Sequence, residues 1–279
     1  MPRVCIVTDT TAQFTHSQFP GQELVVITPF ALEREVQKGE IPLLDMPELR
    51  LQHPTEKDYE LLYHKLSRDY DSILVLTISS ELFPLAPQAQ KAADKYHHHP
   101  EIEVVDTRTT SVGLGWLVEQ AARAAQAGEK CSAIARQVRE KITSIYFLFF
   151  IPNTDGLVNT RHITPSQALV ARMLDMLPIF LLEEGRLVPQ EKAGSLRMVM
   201  EYFEDFMDEY ENPARLALVR SAGQPAVRLG QLRQHIRSSH PETHFSEHTF
   251  PAELEPILGR ESMGMAIMQK DDYENRIGI

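Results

Sequence analysis

Short apolar runs recur through the first half of the chain and alternate with stretches of helical spacing. The runs cover residues 4–7, 24–27, 73–78, 102–105 and 145–151, and continuous apolar strands of this kind suit a sheet covered on both faces. After a capped start at Thr55, apolar residues from Tyr59 to Tyr70 repeat at helical spacing. An Ala-rich helix over 114–127 ends before Gly128. Strands that alternate with such helices predict parallel βαβ units.

The pattern changes after Pro152, where hairpins join the helices. Residues 164–167 combine a capping box with Pro at the first helical position, and a helix follows. Its predicted inward face consists of Leu169, Met173, Met176 and Leu177. Apolar segments on either side of residues 183–186 predict a hairpin. We therefore predict an α/β protein of two domains, with an N-terminal parallel α/β sheet domain over 1–152 and a C-terminal α+β domain over 153–279.

Charge and cysteine content narrow the classes of function. The formal net charge of the 279 residues is -11, without a visible basic patch, which disfavours nucleic acid and anionic membrane surfaces as partners. Two cysteines far apart in the sequence, Cys5 and Cys131, indicate a reducing compartment rather than a disulfide scaffold. The longest apolar run is far shorter than the roughly 20 residues that span a bilayer, and the start lacks a signal-peptide pattern. A cytoplasmic protein is expected.

Hydroxyl-rich segments follow three of the predicted strands, at residues 8–11, 77–80 and 106–111. Ligands bind at the carboxyl ends of the strands in open α/β sheets. Such residues also serve simply as turn caps, and both interpretations stay open for each segment. Together the three segments predict a polar pocket that hydrogen-bonds a small anionic group. The candidate donors are Thr10, Thr11, Ser79 and Ser80.

The sequence offers little support for metal binding or catalysis. The triplet His97, His98 and His99 precedes a proline and lacks a second ligand cluster at metal spacing, so we predict no metal site. Asp9 and Asp106 at strand ends are compatible with a hydrolase or phosphotransferase. No nucleophile and base stand at recognisable spacing, however, and an enzyme is the third of three hypotheses. We predict no catalytic residues and no cofactor.

Five segments in this order are similar to those of one known family. They cover residues 7–12, 78–82, 105–115, 161–169 and 178–189. The chain resembles the DegV family of fatty-acid-binding proteins over nearly its whole length. The resemblance implies two α/β-type domains that bury a long acyl chain, with no catalysis by the protein itself. It also implies that a separate kinase subunit can phosphorylate the carboxylate of the bound fatty acid. Each buried CH₂ contributes roughly 0.8 kcal/mol to binding.

This chain departs from the family pattern where the carboxylate is held. The family's Ser-Gly-Thr-Tyr is here residues 83–86, in which Phe83 has no hydroxyl and Pro84 has no N–H. The family's Thr-Ser pair is replaced by Arg50 and Leu51, and its C-terminal His is absent from residues 256–261. The head-group site is therefore rebuilt or absent. The residues that would supply charge instead are Arg50, Arg161 and His162.

Two functions follow from the resemblance and its departures. The first is binding of a long-chain fatty acid in an apolar slot, for which every proposed wall residue is equally compatible with plain core packing. The proposed walls are Phe83, Leu85, Leu157, Met173, Leu177, Ile179 and Met263. The alternative is a diverged regulatory or interaction scaffold that has lost fatty-acid binding, with its cavity filled by Phe83, Leu85 and Ile257.

Overall fold

The computed structural model of the chain describes residues 3–36, 47–97, 99–224 and 229–270, without the side chains of residues 31–36 and 47–51. The strands, in chain order, are β1 (Val4–Asp9), β2 (Val25–Thr28), β3 (Ala31–Val36), β4 (Pro47–Gln52), β5 (Ser72–Thr77), β6 (Glu101–Asp106), β7 (Ile145–Phe150), β8 (Leu177–Glu183), β9 (Arg186–Ala193), β10 (Arg215–Arg220), β11 (His244–Thr249) and β12 (Met263–Met268). The helices are α1 (Glu56–Leu66), α2 (Leu85–Ala93), α3 (Ser111–Gln126), α4 (Cys131–Ile142), α5 (Asp155–Asn159), α6 (Pro165–Met173), α7 (Leu196–Asp208), α8 (Gly230–Ser239) and α9 (Glu255–Leu258).

The first half folds around a parallel sheet in the order β2-β1-β5-β6. This confirms the predicted βαβ units. Helix α1 begins with the expected capping box between Thr55 and Asp58, and α3 ends before Gly128, which has a φ of 84°. Because the strands are parallel, the carboxyl ends of β1, β5 and β6 meet at one edge. The three hydroxyl-rich segments therefore lie together there.

The second half folds around a mixed sheet in the order β11-β10-β12-β7-β8-β9. Strands β10 and β11 are parallel, and the remaining pairs are antiparallel. Strand β7 was expected among the parallel strands of the first half and instead pairs with β8 and β12 of this sheet. Its sequence is apolar on both faces, so it suits the centre of any covered sheet. The domain boundary after residue 152 stays a prediction.

Three apolar clusters divide the molecule into layers. Helices α1 and α2 cover one face of the parallel sheet, with Tyr59 and Tyr63 in the core between them. The largest cluster lies between the two sheets and includes Trp116 of α3, Val138 of α4 and Phe149 of β7. Helices α7 and α8 cover the far face of the mixed sheet. The order is thus helices, parallel sheet, helices, mixed sheet, helices.

Helix α6 differs from the other long helices because most of its apolar residues face solvent. Its start follows the prediction, with Thr164 and Gln167 forming a capping box and Pro165 at the first helical position. The expected inward face is wrong for Leu169 and Met173, whose exposed fractions are 53% and 75%. Ala168 is the buried residue of this helix. The side of α6 that carries Gln167, Val170 and Ala171 faces a cavity instead, and Leu169 and Met173 lie on the other side.

The two cysteines lie in the interior, and the described helices are too short or too polar to span a membrane. Cys5 and Cys131 are both buried free thiols, and burial raises the pKa of each to about 12. Both are therefore protonated and unreactive at neutral pH. Within the described ranges, none of the helices has the length and apolar character needed to cross a bilayer.

Candidate functional site

The turn after β1 is organised by Asp9, whose side chain is completely buried. Its Oδ1 accepts hydrogen bonds from the backbone N–H (3.0 Å) and the hydroxyl (2.5 Å) of Thr11, and its Oδ2 accepts one from the N–H of Ile78 at 2.8 Å. Burial raises the pKa of the Asp9 carboxyl, and the hydrogen bonds from Thr11 and Ile78 oppose that rise. Asp9 thus joins the ends of β1 and β5, and the Thr11 hydroxyl is committed to this bond.

The hydroxyls of Ser79 and Ser80 have different surroundings. Ser79 is fully buried, and its Oγ donates a hydrogen bond to the carbonyl oxygen of Gly185 at 2.7 Å. The backbone N–H of Ser80 faces the Asp106 carboxylate at 3.3 Å. The Ser80 Oγ is buried and has no hydrogen-bond partner among the described residues. Ser80 therefore keeps a hydroxyl for a ligand, whereas the hydroxyl hydrogen of Ser79 is already used.

Thr10 is half-buried at the same edge. Its Oγ1 accepts a hydrogen bond from the backbone N–H of Phe30 at 3.4 Å, which leaves the hydroxyl hydrogen to be donated elsewhere. Thr10 and Ser80 are thus the two predicted hydroxyl donors that retain capacity for a ligand.

Phe83 stands where the family has a serine, and it fills that position with an aromatic ring. The ring is buried and meets Phe30 edge to face, with centroids 5.3 Å apart. Leu85, at the start of α2, is fully buried in the same cluster between the sheets. A carboxylate at this position would meet apolar rings instead of hydrogen-bond donors.

Arg161 and His162 follow α5 in a short turn. Arg161 is exposed and has a φ of 62°, in the left-handed region. His162 is half-buried, and its Nε2 has no hydrogen-bond partner among the described residues. Burial lowers the pKa of His162, while the nearby Glu81 carboxylate opposes that change. A neutral imidazole with an unused ring nitrogen and an adjacent guanidinium can together receive an anionic group.

A cavity of about 390 Å³ lies beneath α6, which we call the slot. Its roof is formed by α6 and its floor by β8 and β9. The lining is mostly apolar, with Lys192 and Glu191 as its charged members. The residues around it are Thr154, Ile163, Ser166, Gln167, Val170, Ala171, Met176, Pro178, Phe180, Pro189, Glu191 and Lys192. The volume falls within the roughly 300–1,000 Å³ of small-molecule sites.

A second cavity of about 430 Å³ adjoins the slot and has a basic side chain in its lining. It is lined by Arg161 and His162, and it shares Ile163 and Gln167 with the slot. The two cavities therefore form an apolar compartment next to a basic, hydrogen-bonding one. An amphiphile with a long chain and an anionic end matches this arrangement.

The predicted wall residues do not line the slot. Leu157, Phe83 and Leu85 belong to the cluster between the sheets. Ile179 and Met263 belong to the cluster on the far face of the mixed sheet, and Leu177 packs against it. Met173 points to solvent. The seven residues therefore lie on separate faces and do not enclose one compartment.

Some slot residues that the sequence interpretation missed lie on the same elements as predicted wall residues, but on another face. Phe180, not Ile179, faces the slot, because side chains alternate along β8. On α6, Val170 faces the slot while Leu169 and Met173 do not. The alternation of Pro178, Phe180 and Leu182 was a usable signal, since all three share one face of β8. The remaining candidate, Arg50, lies on β4, where its backbone is in register with Glu33 of β3. Its side chain lies outside the described residues.

The match to a family model settles the family. The model, described as an uncharacterised protein of the DegV family, matches residues 49–270. This chain belongs to the DegV family. The match covers most of the chain, from within β4 onwards, and includes both faces of the slot and all strands of the mixed sheet. The family resemblance inferred from sequence is thereby confirmed.

Relatives of this DegV protein are distant in sequence and close in fold. A DegV domain-containing protein of Staphylococcus aureus is 22% identical over 224 residues, which are 75% of this chain and 78% of the relative. A fatty acid binding DegV family protein of Streptococcus agalactiae superimposes with a TM-score of 0.83 at 17% identity, covering 97% of this chain and 100% of that one. The Fatty Acid Kinase (Fak) B3 protein of Streptococcus pneumoniae, loaded with linoleic acid, gives 0.79 at 15% identity and coverages of 96% and 99%. These likenesses establish the fold.

Proposed function

We propose that this protein binds a long-chain fatty acid, with its acyl chain in the slot beneath α6. The observation that carries the proposal is the pairing of a mostly apolar slot with a cavity lined by Arg161 and His162. Each CH₂ moved from water into the slot contributes about 0.8 kcal/mol. A long chain therefore supplies most of the affinity, and the head group sets the orientation.

The carboxylate would be received by Arg161 and His162, with Ser80 and Thr10 as further candidate donors. Arg161 offers charge and a fork of N–H groups, and His162 offers an unused Nε2. Glu81, which follows Ser80 in the chain, lies near enough to His162 to oppose the fall in the pKa of its imidazole. Phe83 and Pro84 lack the hydroxyl and the N–H that the family pattern offers to the carboxylate at this position.

Two solved structures of similar fold support fatty-acid binding as the function. The solved structure from Streptococcus agalactiae is of a fatty acid binding protein, and the Streptococcus pneumoniae protein carries linoleic acid. The Streptococcus pneumoniae protein is the Fatty Acid Kinase (Fak) B3 protein. By analogy, we propose that this protein is a cytoplasmic binding protein without catalytic activity or cofactor, and that it presents its ligand to a separate kinase subunit.

The test begins with denaturing mass spectrometry of the purified protein, followed by titration with fatty acids of different lengths. We expect a fatty acid to be released in near-stoichiometric amount, or saturable binding after delipidation. Absence of both would refute fatty-acid binding.

Two matched variants on α6 then test the slot itself. Val170 lines the slot and Met173, one turn away, does not, while both are exposed enough to accept a charge. We expect Val170→Asp to weaken fatty-acid binding by at least about tenfold, because a carboxylate enters an apolar compartment. Met173→Asp should keep the wild-type affinity. Equal affinities for both variants would remove the slot as the binding site.

One observation favours the alternative of a scaffold without ligand. Phe30 and Phe83 pack against each other where the family holds a carboxylate, and Thr11 and Ser79 are committed to internal hydrogen bonds. A protein that takes up no fatty acid of any length, yet is stable and folded, would support this alternative.

A further inference from the structure

The tip of the β8–β9 hairpin reaches across to the carboxyl edge of the parallel sheet. Three contacts join the two. Ser79 Oγ donates to the carbonyl oxygen of Gly185, Arg186 pairs with Glu81, and Arg108 pairs with Glu184. The first contact links residues 106 positions apart in the chain. The tip is thus held by residues of the other sheet as well as by its own strands.

The buried hydrogen bond is the strongest of the three contacts. The ion pairs are exposed, with side-chain exposures of 68% and 45% for Arg186 and Glu81. Exposed pairs of this kind contribute little because water screens them and their side chains lose entropy. Ser79, in contrast, is fully buried, and its bond to Gly185 measures 2.7 Å. Loss of the hydroxyl would leave a buried carbonyl oxygen without its partner.

The turn has the backbone that this contact requires. Glu184 and Gly185 have φ values of 49° and 82°, and Glu183 pairs with Arg186, which makes a two-residue turn of the I′ kind. A Cβ on residue 185 would lie 2.4 Å from Ser79 Oγ. Glycine therefore serves two purposes here, the left-handed backbone and the close approach of Ser79.

Ser79 is itself held in place on both sides. Its backbone N–H donates to the carbonyl of Thr109 at 2.9 Å, and its Oγ accepts the N–H of Glu81 at 3.2 Å. The hydroxyl consequently points at the hairpin in a fixed direction, and its single hydrogen is used there. The same hairpin carries Phe180 and Pro189, which form part of the slot floor.

We infer that Ser79 is a positioning residue of the proposed fatty-acid site, which acts by holding the β8–β9 hairpin at the spacing from α6 that the acyl chain needs. It is not a carboxylate donor. This inference rests on the proposed function for its effect on the ligand, and the contact between Ser79 and Gly185 stands independently of it. Ser80, the neighbouring serine with an unused hydroxyl, is the matched control for the hairpin contact alone, because it is itself a candidate carboxylate donor.

The experiment compares Ser79→Ala with the wild type in two measurements, and Ser80→Ala is the control for the first of them. Hydrogen exchange of the ligand-free protein should be about three- to tenfold faster in the hairpin tip, residues 182–187, for Ser79→Ala and unchanged for Ser80→Ala. The affinity for linoleic acid should fall by a similar factor in Ser79→Ala. Gly185→Ala, which blocks the same contact from the other side, should reproduce the faster exchange.

Every other outcome would overturn either the inference or the proposed function. Weaker affinity of Ser79→Ala with unchanged hairpin exchange would overturn the inference, because Ser79 would then contact the ligand directly. Faster exchange with unchanged affinity would equally overturn the positioning role, and so would two unchanged measurements. If the wild-type protein binds no fatty acid, the proposed function fails, and the exchange measurement still decides whether Ser79 holds the hairpin.

Discussion

Single side chains at the edge of the parallel sheet have roles that their residue types alone do not reveal. Threonine and serine at strand ends predict hydrogen bonds, and these residues form them. Several of these bonds, however, go to other residues of the protein and are not available to a ligand. Thr11 donates to Asp9 and Ser79 donates to Gly185, while Ser80 keeps its hydroxyl unused. The sequence indicates which residues gather at the edge, because parallel strands end together. It does not indicate which partner each hydroxyl takes, because Gly185 is remote in the chain.

At the residue scale, protonation of buried histidines predicts a pH dependence. Burial lowers the pKa of His162 and of His248 in the folded state, whereas both titrate near 6.5 when unfolded. The unfolded chain then binds more protons, so stability is full above about pH 6.5 and falls as the pH drops below it. Urea unfolding at pH 7.5 and pH 5.5 should show a lower midpoint at pH 5.5.

The histidine responsible is identified by substitution. His162→Gln should make the free energy of unfolding less dependent on pH over that range. His64→Gln, at an exposed position of α1, should leave the dependence as it is in the wild type. Identical pH profiles for His162→Gln and wild type would contradict the assigned cause.

At the scale of elements, helix α3 depends on glycines for its close packing against the loop after β1. A Cβ at Gly115 would lie 1.7 Å from the carbonyl oxygen of Gln13, which is backbone and has little room to move. Gly115→Ala should therefore destabilise the protein by at least about 2 kcal/mol, measured by chemical unfolding. Gly230→Ala, which meets open space at the start of α8, should change stability by less than about 1 kcal/mol. Similar losses in both variants would argue against this packing.

Elements were predictable where local signals define them. The capping boxes at Thr55 and Thr164 and the hairpin around Gly185 follow the sequence closely. The inward face of α6 was wrong because Val170 faces the cavity while Leu169 and Met173 face solvent, so the apolar residues of this helix do not mark a core. Ile179 was named in place of Phe180 because both are apolar, and a one-residue shift reverses the face of a strand.

At the scale of the whole molecule, one ion pair links the two sheets through α3. Arg215 of β10 donates to Glu119 at 2.7 Å, and Glu119, whose side chain is 5% exposed, also accepts the N–H of Thr15. Removing the arginine leaves a buried carboxylate without its cation. Arg215→Ala should cost about 3 kcal/mol of unfolding free energy.

An exposed pair within one helix provides the comparison. Arg197 and Glu201 lie on α7, and Arg197→Ala should leave the free energy of unfolding nearly unchanged, because water screens this exposed pair. Equal losses for Arg215→Ala and Arg197→Ala in urea unfolding would mean that the link between the sheets carries no special stability.

The position of β12 in the mixed sheet has a consequence for how the chain is made. β12, the last of the described strands in chain order, lies between β7 and β10, in the middle of the sheet. While the protein is being synthesised, β7 leaves the ribosome with Phe147 and Phe149 long before β12 arrives to cover its edge. Nascent chains thus carry an open, aromatic sheet edge until residues 263–268 have been synthesised, a stage at which chaperones commonly protect newly made proteins.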